Sequence, residues 1–493
     1  MNNSIQYFLK NGIPGLEKIK KNFFTNPMCL DEYIENVKKI VLDFGCHIIT
    51  EALEECNILL EESMKRVIHW HIKDRSQKNI MSPVGMLSFT RTRFKNKETK
   101  ETAYLLDRAI GLGAHARMSD GVKAAILKEA VQTSYGKAGS EACPGECVSR
   151  ETVMRHVRGM EIPVKSQEEP DRKRKARELY VEADEDHAAL QFHKKKGDIK
   201  RFKGHADNNQ IVKLVYVHEG YTDSAMKRKE LKNAVYFGGL YCGKDNEKLW
   251  NEVKEYIGKH YVTEETEKIY FQSDGGAWMK KGIETLGADF VLDGFHIQKY
   301  IKRIARLAGE TEEEMEENRK KIQGWISKGR RKELEQWVVQ IKTCMKEKDQ
   351  KKLEESLKYI KNNWQGIRRR VKNKEGITGS STESCISHVL SSHLSSRPKG
   401  WCLEGLDEMA QLRIYWKNGG SMAGLMKYQK EEKIIEKTEE ETYFSATEMI
   451  KLENKHRTTN GKYIEALMAS ISSQISAKIY FNASIAGLCC KNL

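Results

Sequence analysis

ELYVEAD (178–184) opens the run of elements whose order decides the fold. IVKLVYVHEG (211–220) and NAVYFGGLYCG (233–243) follow it, both rich in β-branched and aromatic residues and punctuated by glycine, and both read as strands. NEKLWNEVKEYIGKHYV (246–262) sets Leu249, Val253 and Ile257 on one helical face. KIYFQSD (268–274) reads as a fourth strand, GGAWMKKGIETLG (275–287) as a helix, ADFVLDG (288–294) as a fifth strand and FHIQKYIKRIARLAG (295–309) as a helix. Layered α/β sheets bind ligands at the carboxyl ends of their strands, and Asp184, Asp274 and Asp293 are expected there.

Three strands, helix, strand, helix, strand, helix is the order of a ribonuclease-H-like α/β core. After Leu307 the pattern turns helical, highly charged and free of proline as far as Val371, which reads as an all-helical insertion (307–374). GITGSSTES then returns the chain to a helix bearing Glu383, with Ser381 or Thr382 as its cap. Two strand-end carboxylates and a helical glutamate suit two-metal phosphoryl transfer, in which paired divalent ions activate the attacking oxygen and stabilise the leaving one. Hard cations of the magnesium type take carboxylate oxygens. Each residue also has a plainer role. Asp274 serves the turn in SDGG, Asp293 caps a helix, and Glu383 suits a helix dipole. Asp186 rivals Asp184, because both share one strand face, and closeness to the apolar part of the strand favours Asp184. Asp293 and His296 form a candidate supporting pair.

Upstream, residues 31–75 carry Ile34, Val37, Val41, Phe44 and Ile48 at helical spacing, with Asp31 as cap, and read as one long helix that is core or a dimer surface. VGMLSFTRTRF, a polar turn and TAYLL (84–106) read as a β-hairpin. GVKAAILKEAVQTSYGKAG, a turn at EACPGE and SRETVMRHVRGM suggest a helix-turn-helix whose last helix carries Arg150, Arg155, His156 and Arg158, or an ordinary helical hairpin with a charged face. The expected division is an N-terminal helical region (1–80), hairpin (81–118), helix-turn-helix (119–163), linker (164–177), first core part (178–306), insertion, glutamate helix (375–425) and C-terminal region (426–493).

The 493 residues carry 85 Lys and Arg against 70 Asp and Glu, a net +15 that favours a polyanionic partner such as nucleic acid. Lys194, Lys195, Lys196 and Arg201 lie in one basic stretch (193–205), and Arg368, Arg369 and Arg370 in another (367–374). Flanking the carboxylates, they are candidate phosphate ligands. Trp278, Trp401 and Trp416 are candidates for base stacking or for plain core. No apolar run reaches the ~20 residues of a membrane span, and no signal-peptide pattern opens the chain. The 11 cysteines, odd in number and scattered, suit reduced thiols in a cytoplasm. Cys385, His388, His393 and Cys402 have ligand-like spacing for zinc, and Cys143 with Cys147 forms an isolated pair.

At LYVEADEDHAALQ, KLVYVHEG, YFQSDGGAWMKKG, VLDGFHIQKYI and STESCISHVLSSHLSSRPKGW the chain resembles DDE transposases of bacterial insertion sequences, in the Mutator-like group and nearest the ISLre type. The DGFH segment matches the Asp-x-x-His variant of a motif in that group. The resemblance implies a ribonuclease-H-like core, Asp184, Asp274 and Glu383 as catalytic, metal-binding triad, and Asp293 with His296 in support. It also implies Mg2+ or Mn2+, double-stranded DNA partners (terminal inverted repeats and target), a homo-oligomer, and cleavage followed by strand transfer near a bacterial nucleoid. Its alternatives are a non-catalytic DNA-binding derivative and a nuclease that cuts without joining. His393, Cys402 and Lys399 depart from the family pattern, which has arginine, serine and a more apolar residue there.

Overall fold

The computed structural model describes residues 3–434 apart from 192–199, 203–204, 208, 223–229, 344, 374–381 and 397–399. The chain divides into two compact units. One comprises residues up to Glu129, Tyr135–Arg150 and the described residues from Met426; the other comprises Ala130–Ser134 and Glu151–Leu425.

In the first unit, the helix Leu30–Glu62 is 33 residues long, about 50 Å at ~1.5 Å per residue. Cys29 stands at its N-cap and Asp31 lies inside the first turn, where its charge suits the dipole. The expected helix to residue 75 is too long. Extended Ser63 ends it, Met64–His69 adds a short helix, and a strand begins at Trp70. That strand, Trp70–Ser82, pairs antiparallel with Gly85–Asn96, which pairs in turn with Thr102–Tyr104. The expected hairpin is therefore the second pairing of a three-stranded sheet. Trp70–Ser82 escapes periodicity analysis because charged residues fill its outer half, and its partner rather than its own pattern makes it a strand. Leu60, Ile80, Leu87, Phe89, Phe94 and Leu106 form the core of this unit. Ile34, Val41 and Ile48 are exposed, so the apolar stripe expected as core is not core over that stretch.

The segment read as a helix-turn-helix consists of Asp120–Ala130, Tyr135–Glu141 and Arg150–Arg158. The first two helices, up to Glu129 and from Tyr135, belong to the first unit, and the last helix from Glu151 belongs to the second.

The second unit is a mixed α/β body around a five-stranded sheet. Its strands in chain order are Glu178–Ala189, Asn209–His218, Val235–Gly239, Lys268–Ser273 and Asp289–Leu292, and their spatial order is fifth, fourth, first, second, third. The second strand runs antiparallel to the first and the third, while the fourth and fifth lie parallel to the first. Parallel neighbours need crossovers, which the helices Asn246–His260 and Ala277–Leu286 supply. Val181, Ala183, Val215, Val217, Phe237 and Phe271 pack one sheet face under these helices. Trp250 is wholly buried there and donates to the Trp278 carbonyl (3.0 Å). Gly282 must stay small, since a Cβ would lie 2.6 Å from the Trp250 ring.

Residues 164–177 are not a free linker. Arg174 exchanges backbone bonds with His260 and Val262 (2.8 and 2.9 Å), and Lys175 and Arg177 pair with Glu265 and Glu267.

The stretch expected as all-helical is helical: Glu312–Lys328, Arg331–Lys342, Glu347–Asn362 and Trp364–Lys372. With the helix Gly294–Leu307 they enclose a second core of Ile301, Ile304, Ile322, Leu334, Leu353 and Ile367. Thr311 and Glu314 form a capping box at the first of them. Thr311→Ala is expected to cost about 1 kcal/mol, measurable as a shift in the denaturant midpoint at unchanged slope. The last helix returns to the sheet. Arg369 pairs with Asp289 (3.0 Å) and donates to the Phe290 carbonyl (3.3 Å), and a Cβ on Gly366 would lie 2.6 Å from the Phe290 ring.

Candidate active site

Three aspartates form one row across three adjacent parallel strands. The first and fourth strands pair at a constant offset of 90 residues, from Glu178 with Lys268 to Glu182 with Gln272. Asp184 and Asp274 are separated by the same 90 residues and follow two positions later. The fourth and fifth strands pair at an offset of 19, ending at Ser273 with Leu292, and Asp274 and Asp293 come next. Neighbouring strands lie about 4.8 Å apart. Asp274 and Asp293 directly follow their strands, and the Asp293 amide bonds the Ser273 carbonyl (2.9 Å). Asp184, expected to end its strand, does not do so. The antiparallel partner carries the strand on to Ala189, but the parallel partner stops at Glu182. Asp184 thus sits where one flank of the strand loses its pairing.

Burial raises the Asp184 carboxyl to about 6, and the neighbouring Asp274 charge adds to that rise against the Glu185 amide, which donates to Asp184 Oδ1 (2.9 Å). Asp274 Oδ1 accepts the Gly276 amide (2.9 Å), and Gly275 takes a φ of +86°, which favours glycine. Tyr359, from the helical insertion, donates to the Asp274 carbonyl (2.6 Å). Asp293 caps the helix Gly294–Leu307, and its Oδ2 accepts both the His296 amide (3.2 Å) and His296 Nδ1 (3.1 Å). That bond, helped by the Asp293, Asp274 and Asp184 charges and opposed by burial, holds the His296 imidazole above its ordinary value. The expected pairing of Asp293 with His296 is therefore present.

Asp184 and Asp186 play different parts. Asp186 is buried, and its Oδ1 accepts from Ser391 Oγ (3.0 Å) and Ser395 Oγ (2.8 Å). Those serines lie downstream of Glu383, which occupies the helix Thr382–Ile386 and whose side chain is outside the described residues. Ser387–Ser391 is a π-helical turn, a feature frequent at functional sites. Its loosened His388 and Val389 carbonyls accept from buried Arg413 (3.0 and 2.6 Å). Behind the aspartate row, buried Glu182 accepts from Tyr216 (2.6 Å) and meets His218 Nε2 (3.2 Å). Sequence reasoning missed Glu182, Ser391, Ser395 and Arg413. The alternation Glu182–Asp184–Asp186 on one face was the available signal for a polar face.

The basic candidates fare unevenly. Arg368 donates to the Ile326 and Ser327 carbonyls (both 2.9 Å), capping a helix, and Arg369 binds the fifth strand. Arg370 bonds Gln272 Oε1 (3.2 Å). All three guanidinium groups thus have intramolecular partners. Arg150 and Arg155 are exposed, while Arg158 donates to Cys402 Sγ. Lys194, Lys195 and Lys196 lie outside the described residues, as does the Arg201 side chain. Trp278 donates to Glu185 (3.0 Å) and stacks on Trp250, and Trp401 donates to the Leu394 carbonyl (2.9 Å), so both are packing residues.

Asp184 and Asp274 are near enough for one charge to act on the other, and together they are the carboxylate pair that could take part in holding a metal. Their oxygen chemistry suits Mg2+ or Mn2+, and a cation would relieve the burial and mutual repulsion that raise Asp184. As they stand, no three His, Cys, Asp or Glu side chains among the described residues are grouped to share one ion. The zinc quartet is overturned on that ground. Cys385 lies against the Tyr236 hydroxyl, Cys402 against Arg158, and His393 near Trp401. Buried Cys143 donates to the Ser82 carbonyl (3.3 Å), while Cys147 is exposed.

The Uncharacterised protein family (UPF0236) matches residues 23–432. The chain belongs to that family. Three UPF0236 proteins of Caldanaerobacter subterraneus subsp. tengcongensis illustrate it. One, whose name joins eleven designations from TTE0033 to TTE2212, is 34% identical over 405 residues, covering 82% of this chain and 81% of its own. TTE2489 is 33% identical over 421 residues (84% and 85%), and TTE0610/TTE0881/TTE1053/TTE2432 is 34% identical over 421 residues (84% and 84%). Among solved structures, the Drosophila P element transposase strand transfer complex aligns at 12% identity over 66% of this chain and 84% of that one, with a TM-score of 0.22, too low to bear on the fold. No helix among the described residues is long and apolar enough to cross a membrane.

Proposed function

We propose that this chain is a DDE-type DNA transposase with a ribonuclease-H-like core, cutting and joining DNA at the ends of an insertion sequence. The observation that carries the reading is the row Asp184–Asp274–Asp293, which follows two constant strand offsets at the carboxyl ends of the three parallel strands of a mixed sheet. The strand order, with three antiparallel strands first and two parallel ones added beside the first, supports that core. A relative whose name joins eleven designations in one organism fits a protein present in many copies, as a mobile element would leave it.

In this reading Asp184 and Asp274 hold Mg2+ or Mn2+ together with Glu383, which lies upstream of the two serines, Ser391 and Ser395, that bond Asp186. Bound there, the metal would activate water and stabilise the departing oxygen of a phosphodiester. Asp293 accepts from His296 Nδ1 and so fixes the orientation of the imidazole beside the carboxylates. Water attacks first, and the freed 3′-hydroxyl then attacks target DNA, so no serine or tyrosine nucleophile is required. The partners are terminal inverted repeats and target DNA, held by a homo-oligomer because two ends must be handled together. Arg150, Arg155 and Arg158 remain proposed DNA contacts, as do Lys194, Lys195, Lys196 and Arg201.

The test incubates the full chain with DNA carrying the element's own ends, with and without Mg2+, and resolves cut from joined products. Metal-dependent cleavage with joined products is expected. Cleavage without joining makes the chain a nuclease. End-specific binding with no cleavage makes it a non-catalytic DNA-binding protein.

A further inference from the structure

The helix that begins at Asp293 has two stripes. Ile297, Ile301, Ile304 and Ala305 are buried in the core of the insertion. Phe295, Lys299, Lys302 and Arg306 recur at intervals of four, three and four residues and are exposed. Helical geometry puts those four in one line on the outer surface. The line runs for about 16 Å at ~1.5 Å per residue, the rise of about five nucleotide steps at ~3.4 Å each.

The line is the floor of a groove of about 580 Å³, to which Arg303 and Lys352 also contribute. Arg303 faces Glu355 (3.4 Å) and Lys352 faces Asp349 (3.4 Å). Lys299, Lys302 and Arg306 form no ion pair with the described residues. Phe295 is 55% exposed, which leaves a face of its ring open to a partner. It stands edge-on to His296 (5.5 Å between ring centroids, 86°), at the end of the line nearest the aspartates.

Resting on the reading of that row as a DNA-processing site, we infer that this groove is the entry track for a DNA strand: Lys299, Lys302 and Arg306 hold successive phosphates, and Phe295 stacks on an unpaired base at the mouth of the site. Unpaired cations in line attract a polyanion without reading its sequence. An exposed aromatic ring offers a stacking face to any base that has left the duplex.

The experiment titrates the full chain with a DNA end carrying a short single-stranded tail that contains 2-aminopurine, across a range of salt concentrations. The wild type is compared with Lys299→Ala/Lys302→Ala/Arg306→Ala and with Phe295→Ala. Losing three phosphate contacts should flatten the slope of log K against log salt by about 2–3. Phe295→Ala should weaken binding of the tailed end about tenfold and abolish 2-aminopurine quenching, and Phe295→Trp should restore both. These side chains are exposed, and unchanged melting curves would establish that the variants are folded. An unchanged slope together with undiminished quenching overturns the inference while leaving the transposase reading intact. Absence of salt-dependent DNA binding by the wild type overturns both. Stripe-dependent binding by a wild type that never cuts DNA upholds the groove and removes the transposase reading.

Discussion

Asp184→Asn and Asp274→Asn are each expected to lower metal-dependent DNA cleavage by about 10³-fold or more, equivalent to ~4 kcal/mol of transition-state stabilisation. A neutral amide keeps the shape of the side chain and removes the charge a divalent ion needs. Asp184→Asn should also stabilise the metal-free protein. Its carboxyl sits near 6 in the fold, above the ordinary 3.8, because burial and the Asp274 charge disfavour ionisation. A raised acid holds its proton more tightly folded than unfolded, so its contribution to stability falls as pH rises from about 4 to about 6 and stays low above that. Removing the charge should recover about 1–3 kcal/mol at pH 8 and little at pH 4. Thermal melts without divalent ions at the two pH values check this, and Mg2+ should raise the melting temperature of the wild type more than that of the variant. A wild-type cleavage rate in either variant would sink the assignment.

Asp186→Ala is expected to do the opposite to stability. It removes the acceptor of two half-buried serine hydroxyls, leaving Ser391 only the longer bond to the Ile386 carbonyl (3.4 Å), and frees the segment that follows Glu383, at a cost of about 2–3 kcal/mol. Cleavage should fall about 10–100-fold, with more Mg2+ needed for half-maximal rate, because the effect passes through the placing of another residue. Ser391→Ala/Ser395→Ala should approach the same state from the other side. The triple variant should then be little worse than either, the non-additivity of a shared network. Additive losses would separate Asp186 from the serines. The contrast between Asp184→Asn, more stable and inactive, and Asp186→Ala, less stable and impaired, distinguishes a metal-holding carboxylate from one that builds the scaffold.

The five strands of the second unit were legible because their apolar faces are buried on folding and β-branched and aromatic residues mark them. Asp274 and Asp293 were legible for a similar reason, as carboxylates directly after an apolar run. What composition cannot reveal is partnership. Trp70–Ser82 reads as a charged continuation of a helix until its register with Gly85–Asn96 is known. Arg368, Arg369 and Arg370 look like a phosphate-binding run, yet carbonyls and side chains distant in sequence claim them. The division of labour between Asp184 and Asp186 was likewise hidden, since strand alternation places both on one face and only Ser391 and Ser395 tell them apart.

The return of Trp364–Lys372 onto the fifth strand has a consequence for how such a chain can vary. Arg369 and Gly366 fasten the last helix of the insertion to Asp289 and Phe290 of the fifth strand, from which the chain runs on through Gly294–Leu307 into the insertion. Everything beyond that fastening is a closed loop with its own core, and doubling the length of a closed loop costs only about 0.6 kcal/mol in closure entropy. Helices can therefore be gained or lost at the far end with little effect on the aspartate row. A change at Gly366 or Asp289 would instead loosen the return of Trp364–Lys372 onto the fifth strand.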